Sequence, residues 1–326
     1  MIRLGLMART LLLFVPFAAL AASPAGAASC CGGSSAAPLI LPRDAQGMLD
    51  VSLELERYDG FWNGTGKYLP DPGGSDLRQY RLNLGYARRL GPAWQASLAL
   101  PYVFNRNRYT GVSSETRGPG DATLGLWYEA LRDLSTWKLR TLEDLRPSLL
   151  VGAALLIPTG VSPYDDVQGS FDVTGRGFYR LDANLLASKT LRPWSAAISL
   201  AYGIALARSV NREYGTYVEP YRQRPGDRAS AAASLSRVAY IGTGGDALTA
   251  TVSFSHLQEA EASIDGRRED ESGMRKEAIG AALVYSSTDH DWSVRASWSH
   301  AVKASGWGRN FPATDIYGLG VSYVFR

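Results

Sequence analysis

The chain has few of the side chains that most often do covalent or metal chemistry: three histidines and two cysteines. His256 and His300 each follow a serine, Ser255 and Ser299. Adjacent strand residues point to opposite faces, so neither pair is a nucleophile with its base. A serine on a neighbouring strand could still meet either ring. His290, in Asp289-His290-Asp291, reads as a solvated turn residue. Cys30 and Cys31 are neighbours. Their Cα atoms are ~3.8 Å apart, closer than the ~4.4–6.8 Å of ordinary disulfides, so a structural bridge between them is not expected. They read as part of a processed or tethered tail, or as a metal-binding or intermolecular thiol pair. No C-x-x-C-H occurs, which argues against covalent haem. Asn63-Gly64-Thr65 fits a glycosylation pattern and reads as a chance match. The expectation is a protein that is not an enzyme and uses no cofactor.

A different chemistry is carried by Asp50, Glu54, Glu56, Arg81, Arg180, Asp182 and Arg295. Each interrupts an otherwise apolar alternation on the opposite parity. Charges confined inside a fold need partners. The seven therefore read either as an ionic network that fills and stiffens an interior, or as the lining of a narrow polar passage carrying both signs of charge.

The elements that would position them are strands of period two. Leu49, Val51, Leu53 and Leu55 share one face of the first, with Asp50, Ser52, Glu54 and Glu56 on the other. Trp194, Ala196, Ile198, Leu200, Tyr202, Ile204 and Leu206 alternate with serine, alanine and glycine. Twelve such segments are predicted, at about 48–59, 76–90, 93–106, 120–132, 146–158, 174–190, 194–209, 227–240, 247–262, 274–287, 291–303 and 314–326. The connections near 60–75, 107–119, 159–173, 210–226, 263–273 and 304–313 are long and polar. The alternate ones, at 91–92, 191–193, 241–246 and 288–290, are short, with 133–145 a longer exception that has room for a helical turn. An even strand count, short turns at one end and long loops at the other is the pattern of an antiparallel transmembrane β-barrel with periplasmic turns and extracellular loops. A soluble sandwich has no need to sort its loops this way.

The last strand, Ile316 to Arg326, sets Tyr317, Leu319, Val321, Tyr323 and Phe325 against Gly318, Gly320 and Ser322. It resembles the closing strand of an outer-membrane barrel. Tyr317, Tyr323 and Phe325 then stand as the signal read by the barrel-assembly machinery, and Arg326 departs from the usual aromatic end.

Residues 1–27 read as a signal peptide: Arg3 and Arg9, an apolar core at 10–22 too short to span a bilayer, then small residues. Cys30 is a candidate for lipidation, although the usual leucine three places before it is missing. Residues 28–46 are rich in glycine, serine, alanine and proline and read as a flexible periplasmic segment, leaving 47–326 for the barrel. The formal charge is +3, and about +1 once Arg3 and Arg9 are removed, which gives no reason to expect nucleic acid. Seventeen tyrosines and eight tryptophans suit a chain with two membrane interfaces to line.

Leu98-Ala99-Leu100-Pro101-Tyr102, the run Gly118-Pro119-Gly120-Asp121-Ala122-Thr123-Leu124-Gly125-Leu126, and Ile157-Pro158-Thr159-Gly160 together resemble the pattern of the meta-pathway phenol-degradation family of outer-membrane proteins. The resemblance spreads over most of the chain after residue 27, in short motifs of turn and strand-end chemistry. It implies a transporter-type barrel in the cell outer membrane that passes small, often hydrophobic or aromatic, molecules; phenol itself is not carried over. The expected partners are outer-membrane lipid, the assembly machinery and a small-molecule solute. The alternative is a non-conducting barrel that anchors or assembles something through its cysteine-containing tail.

Overall fold

A strand edge left open in a bilayer finds no hydrogen-bond partner, so period-two segments can span only as a closed wall. The computed structural model, which describes residues 39–133, 136–167, 169, 172–308 and 314–326, has such a wall. Its twelve strands are β1 (Gly47–Tyr58), β2 (Asp76–Arg89), β3 (Trp94–Tyr109), β4 (Ala122–Leu131), β5 (Ser148–Ile157), β6 (Arg180–Leu191), β7 (Trp194–Ala205), β8 (Arg228–Ile241), β9 (Ala247–Glu259), β10 (Met274–Ser286), β11 (Trp292–Trp307) and β12 (Asp315–Phe325). Each pairs antiparallel with its sequence neighbours, and β12 returns to β1, from Gly47 opposite Phe325 to Arg57 opposite Asp315. Residues 1–38, which include the expected signal peptide, Cys30 and Cys31, lie outside the described residues.

Parity sorts the wall. Leu49, Val51 and Leu53 are exposed on the outside of β1, while Asp50, Ser52 and Glu56 are buried inside. At the short-turn end, Trp94 packs on Tyr128 and Trp292 on Tyr323, with ring centroids 4.9 and 4.5 Å apart. Further along the wall Tyr102 and Phe104 pack at 4.9 Å. Aromatic rings flanking an apolar band are the outer surface of an outer-membrane barrel, whose short turns face the periplasm.

Four stretches differ from the sequence reading. Residues 107–119 are not an open loop: β3 runs on to Tyr109, turns at Thr110-Gly111, and pairs with Val112–Pro119 above the membrane wall. Residues 206–207 break the seventh strand. Arg208–Glu213 then pairs with Thr216–Arg224 in a separate small sheet that also takes Ser263–Ile264 and Arg267–Arg268. β11 runs on to Trp307, past the strand end near 303 that the sequence predicts. Residues 174–179 are not the start of a strand; they fold into the barrel. In each case polar composition spoke for a loop or alternation for a strand, but cross-chain pairing decided. The 133–145 connection holds a 3-10 turn at Leu142–Leu145.

Candidate functional site

The interior is set by what each strand puts on its inward parity. β7 contributes Ser199, Ala201 and Gly203, and β3 contributes Ser97, Ala99, Pro101 and Val103. Small side chains on facing strands leave space between them. A cavity of about 270 Å³ results, walled on its apolar side by Leu39, Pro101, Val103, Trp127, Leu156 and Leu186. Trp127 is on the inward parity of β4, and Gly152 opposite gives the ring its room: a Cβ there would lie 2.5 Å from the indole. The indole is buried, and it marks a strand position where an aromatic faces the lumen instead of lipid.

The cavity is narrowed from both ends. On the periplasmic side the stretch before β1 crosses the mouth. The Leu41 amide donates to Gln95 Oε1 at 2.7 Å, and Arg89 donates to the carbonyls of Ala45 and Pro42 at 2.9 Å. Leu41 and Ala45 pack with Met48, Ala87 and Val324, and Leu39 covers that cluster and reaches the cavity. On the extracellular side the connection between β5 and β6 folds inward. Asn105 Nδ2 donates to the Val173 carbonyl at 2.9 Å, and the Thr174 hydroxyl donates to that of Pro119 at 2.6 Å. Asp121, in the break between Val112–Pro119 and β4, accepts from the amides of Gly160 at 3.1 Å and Arg176 at 2.7 Å. Gly120 and Asp121 thus hold this connection in place.

The seven sequence-selected charges are distributed into three places. Arg81 on β2 meets Glu56 at 2.8 Å and Glu54 at 3.9 Å on β1. Arg180 grips Asp182 through Nε at 2.7 Å and Nη2 at 3.1 Å. Arg295 and Asp50 face each other at 3.8 Å nearer the periplasmic mouth. Arg81, Arg180 and Asp182 line the cavity, while Asp50, Glu54, Glu56 and Arg295 do not. Asp121 belongs to a run already picked out in the sequence; Arg176, Arg228, Glu259 and Trp127 do not. Arg228 and Glu259 stand on inward parity at strand ends, a signal present in the alternation. Arg176 is in a connection, where no periodicity could have assigned it.

Tyr317, Tyr323 and Phe325 lie on the outward face of β12. Arg326 donates to the Asp289 carbonyl at 2.7 Å and pairs with Asp291 at 2.9 Å. His256 sits 3.3 Å from Glu277, and His300 2.9 Å from Asp315. The residues directly opposite them across the strands are Ala231 and Glu277, and Ile279 and Asp315. No serine is among these.

No family model and no curated protein matches the chain. Solved structures do. An outer membrane channel from Pseudomonas putida F1 superposes with a TM-score of 0.66 at 14% identity, over 88% of this chain and 97% of that one. The β domain of the Bordetella autotransporter Brka gives 0.50 at 13% identity, over 86% and 100%. Identities this low speak for fold alone. With the closed wall and its aromatic bands, they make the chain a twelve-stranded β-barrel of the outer membrane, in contact with membrane lipid.

Proposed function

We propose that the barrel is a channel that passes small molecules, apolar or aromatic in part, across the outer membrane. The observation that carries this reading is the cavity between the two narrowings. A twelve-stranded wall is wider than the roughly eight-stranded barrels that side chains alone can fill, which leaves room for a passage. The cavity's volume is just under the ~300–1,000 Å³ usual for small-molecule sites. One wall is apolar and the other charged, which suits orientation of a solute more than bulk water flow. The Pseudomonas putida structure is described as an outer membrane channel. In planar bilayers the purified barrel is expected to give small single-channel steps, and in liposomes to speed entry of small aromatic solutes. Closed bilayers together with unchanged entry rates would overturn the channel.

A second reading is favoured by the segment across the periplasmic mouth. Pinned by Gln95 and Arg89, residues 39–46 plug that end, and Cys30 beyond them would serve as a lipidated or thiol-linked anchor. The same bilayer measurement separates the readings. In both, Tyr317, Tyr323 and Phe325 serve as the assembly signal, and residues 1–27 are removed on export.

A further inference from the structure

We infer that the lumen cavity binds a small organic anion, a carboxylate on an apolar or aromatic body, with Arg228 as the group that receives the carboxylate. This deepens the channel reading by naming the class of solute, and rests on it for the solute's passage.

Four arginines line the cavity: Arg81, held by Glu56 and Glu54, and Arg176, Arg180 and Arg228. The carboxylates near them are already claimed. Asp182 receives both nitrogens of Arg180. Glu259, directly opposite Arg228 across the β8–β9 pair, is held by both guanidinium ends of Arg176. Asp121 is committed to the amides of Gly160 and Arg176. Arg228 is only 8% exposed, and among the described residues its side chain makes no hydrogen bond and no ion pair within 4.0 Å. Glu259 and Asp182 attract this guanidinium from a distance but do not hydrogen-bond it, so it borders the cavity with donors of its planar fork unused, which is costly for a buried cation. A carboxylate fits that fork with two parallel hydrogen bonds.

The backbone leaves this arrangement no simple internal remedy. Gly203 stands opposite Arg228 on β7 and has no side chain to offer. The space it leaves is filled by the Arg180–Asp182 pair, since a Cβ at Gly203 would lie 3.0 Å from Arg180 Cδ. Across the cavity, Pro101, Val103, Trp127 and Leu156 present an apolar wall. A solute with its charge at Arg228 would lay its apolar part there. A neutral molecule would leave the arginine unpaired, and inorganic phosphate would leave the apolar wall unused.

The test is calorimetric titration of the folded full-length protein in detergent with benzoate, benzyl alcohol and inorganic phosphate. Benzoate is expected to bind at least about tenfold more tightly than either of the others, as expected for one charge-assisted pair. Arg228→Gln should lose that preference, and Arg228→Lys should keep part of it. Equal binding of benzoate and benzyl alcohol, no benzoate binding, or undiminished benzoate binding by Arg228→Gln would overturn the inference. The wild-type comparison decides even if the variants fail to fold. The channel reading is tested separately by bilayer current: benzoate binding without current would sink the channel and leave the site, whereas current without benzoate preference would sink the site alone.

Discussion

Arg176 and Glu259 form a two-ended ion pair, Nη1 donating to Oε2 at 2.7 Å, that ties the inward-folded connection to the extracellular end of β9. Neither residue is on the same element, and 83 positions separate them. Glu259 is almost fully buried. Removing one partner of such a pair leaves an uncompensated buried charge, which costs about 3–5 kcal/mol. Glu259→Gln should therefore lower stability by about that amount, measured by urea unfolding in lipid vesicles, because Arg228 stands beside it as a second cation. Arg176→Gln should do the same less strongly, since its side chain is more exposed. Equal stability of Glu259→Gln and wild type would show that the pair is not what holds the connection.

The outward parity is tested on β7. Leu200 is 45% exposed on the lipid face, and Ala201 next to it is on the inward parity of β7. Leu200→Arg should cost about 2–4 kcal/mol near the bilayer midplane, while Ala201→Ser should cost little. The same vesicle folding measurement separates them, and equal costs would reverse the assignment of faces.

Gly152→Ala tests the seat of Trp127. The added methyl would meet the indole at 2.5 Å and the Leu126 carbonyl at 3.0 Å. Overpacking of this kind costs about 1–3 kcal/mol. The displaced ring should also shrink the cavity, so solute entry into liposomes should slow. Unchanged entry with lowered stability would mean the ring moves away from the passage.

A pH effect is expected in the extracellular connection between β1 and β2. Burial, with the negative charge of Asp59 nearby, pushes the Asp71 carboxyl from 3.8 up to about 6. The folded hairpin therefore binds that proton more tightly than the open one. Its stabilising contribution is full below about pH 3.8 and is lost as pH rises through about 6. The protection factors of Gly60–Trp62 and Tyr68–Pro70, measured against the intrinsic exchange rate at each pH, should fall between pH 5 and 7 in wild type. Asp71→Asn should flatten that dependence; a slope identical to wild type would assign it to another group.

Phe325 and Phe104 make a matched pair for testing the assembly signal. They are 38% and 40% exposed, and each packs on a tyrosine, Tyr323 at 5.0 Å and Tyr102 at 4.9 Å. Loss of burial alone should affect Phe325→Ala and Phe104→Ala alike, by about 1.5–3 kcal/mol at most. A larger assembly deficit for Phe325→Ala, read from heat-modifiable mobility of outer-membrane fractions, is expected if the last strand is recognised during assembly. Deleting Arg326 removes an exposed pair with Asp291, a loss of about 0–1 kcal/mol, and should be tolerated.

The sequence by itself determined the wall. Alternation is a local property: Leu49 and Asp50 must face opposite ways on any strand, and a bilayer then decides which face is outside. Twelve segments, their parity and the sorting of long and short connections all follow from that rule. Charges such as Arg81 and Asp182 were legible as interior for the same reason. What only the tertiary structure decided is which interior charges meet. Arg176 sits in a connection without periodicity, so nothing local says that it folds inward. Its hold on Glu259, together with Arg180's hold on Asp182, leaves Arg228 without a hydrogen-bonded partner among the described residues. The cavity has the same origin. Its space is the difference between side chains on strands far apart in the chain, Gly152 making room for Trp127 and Gly203 for Arg180, and a difference of that kind exists only once the barrel has closed.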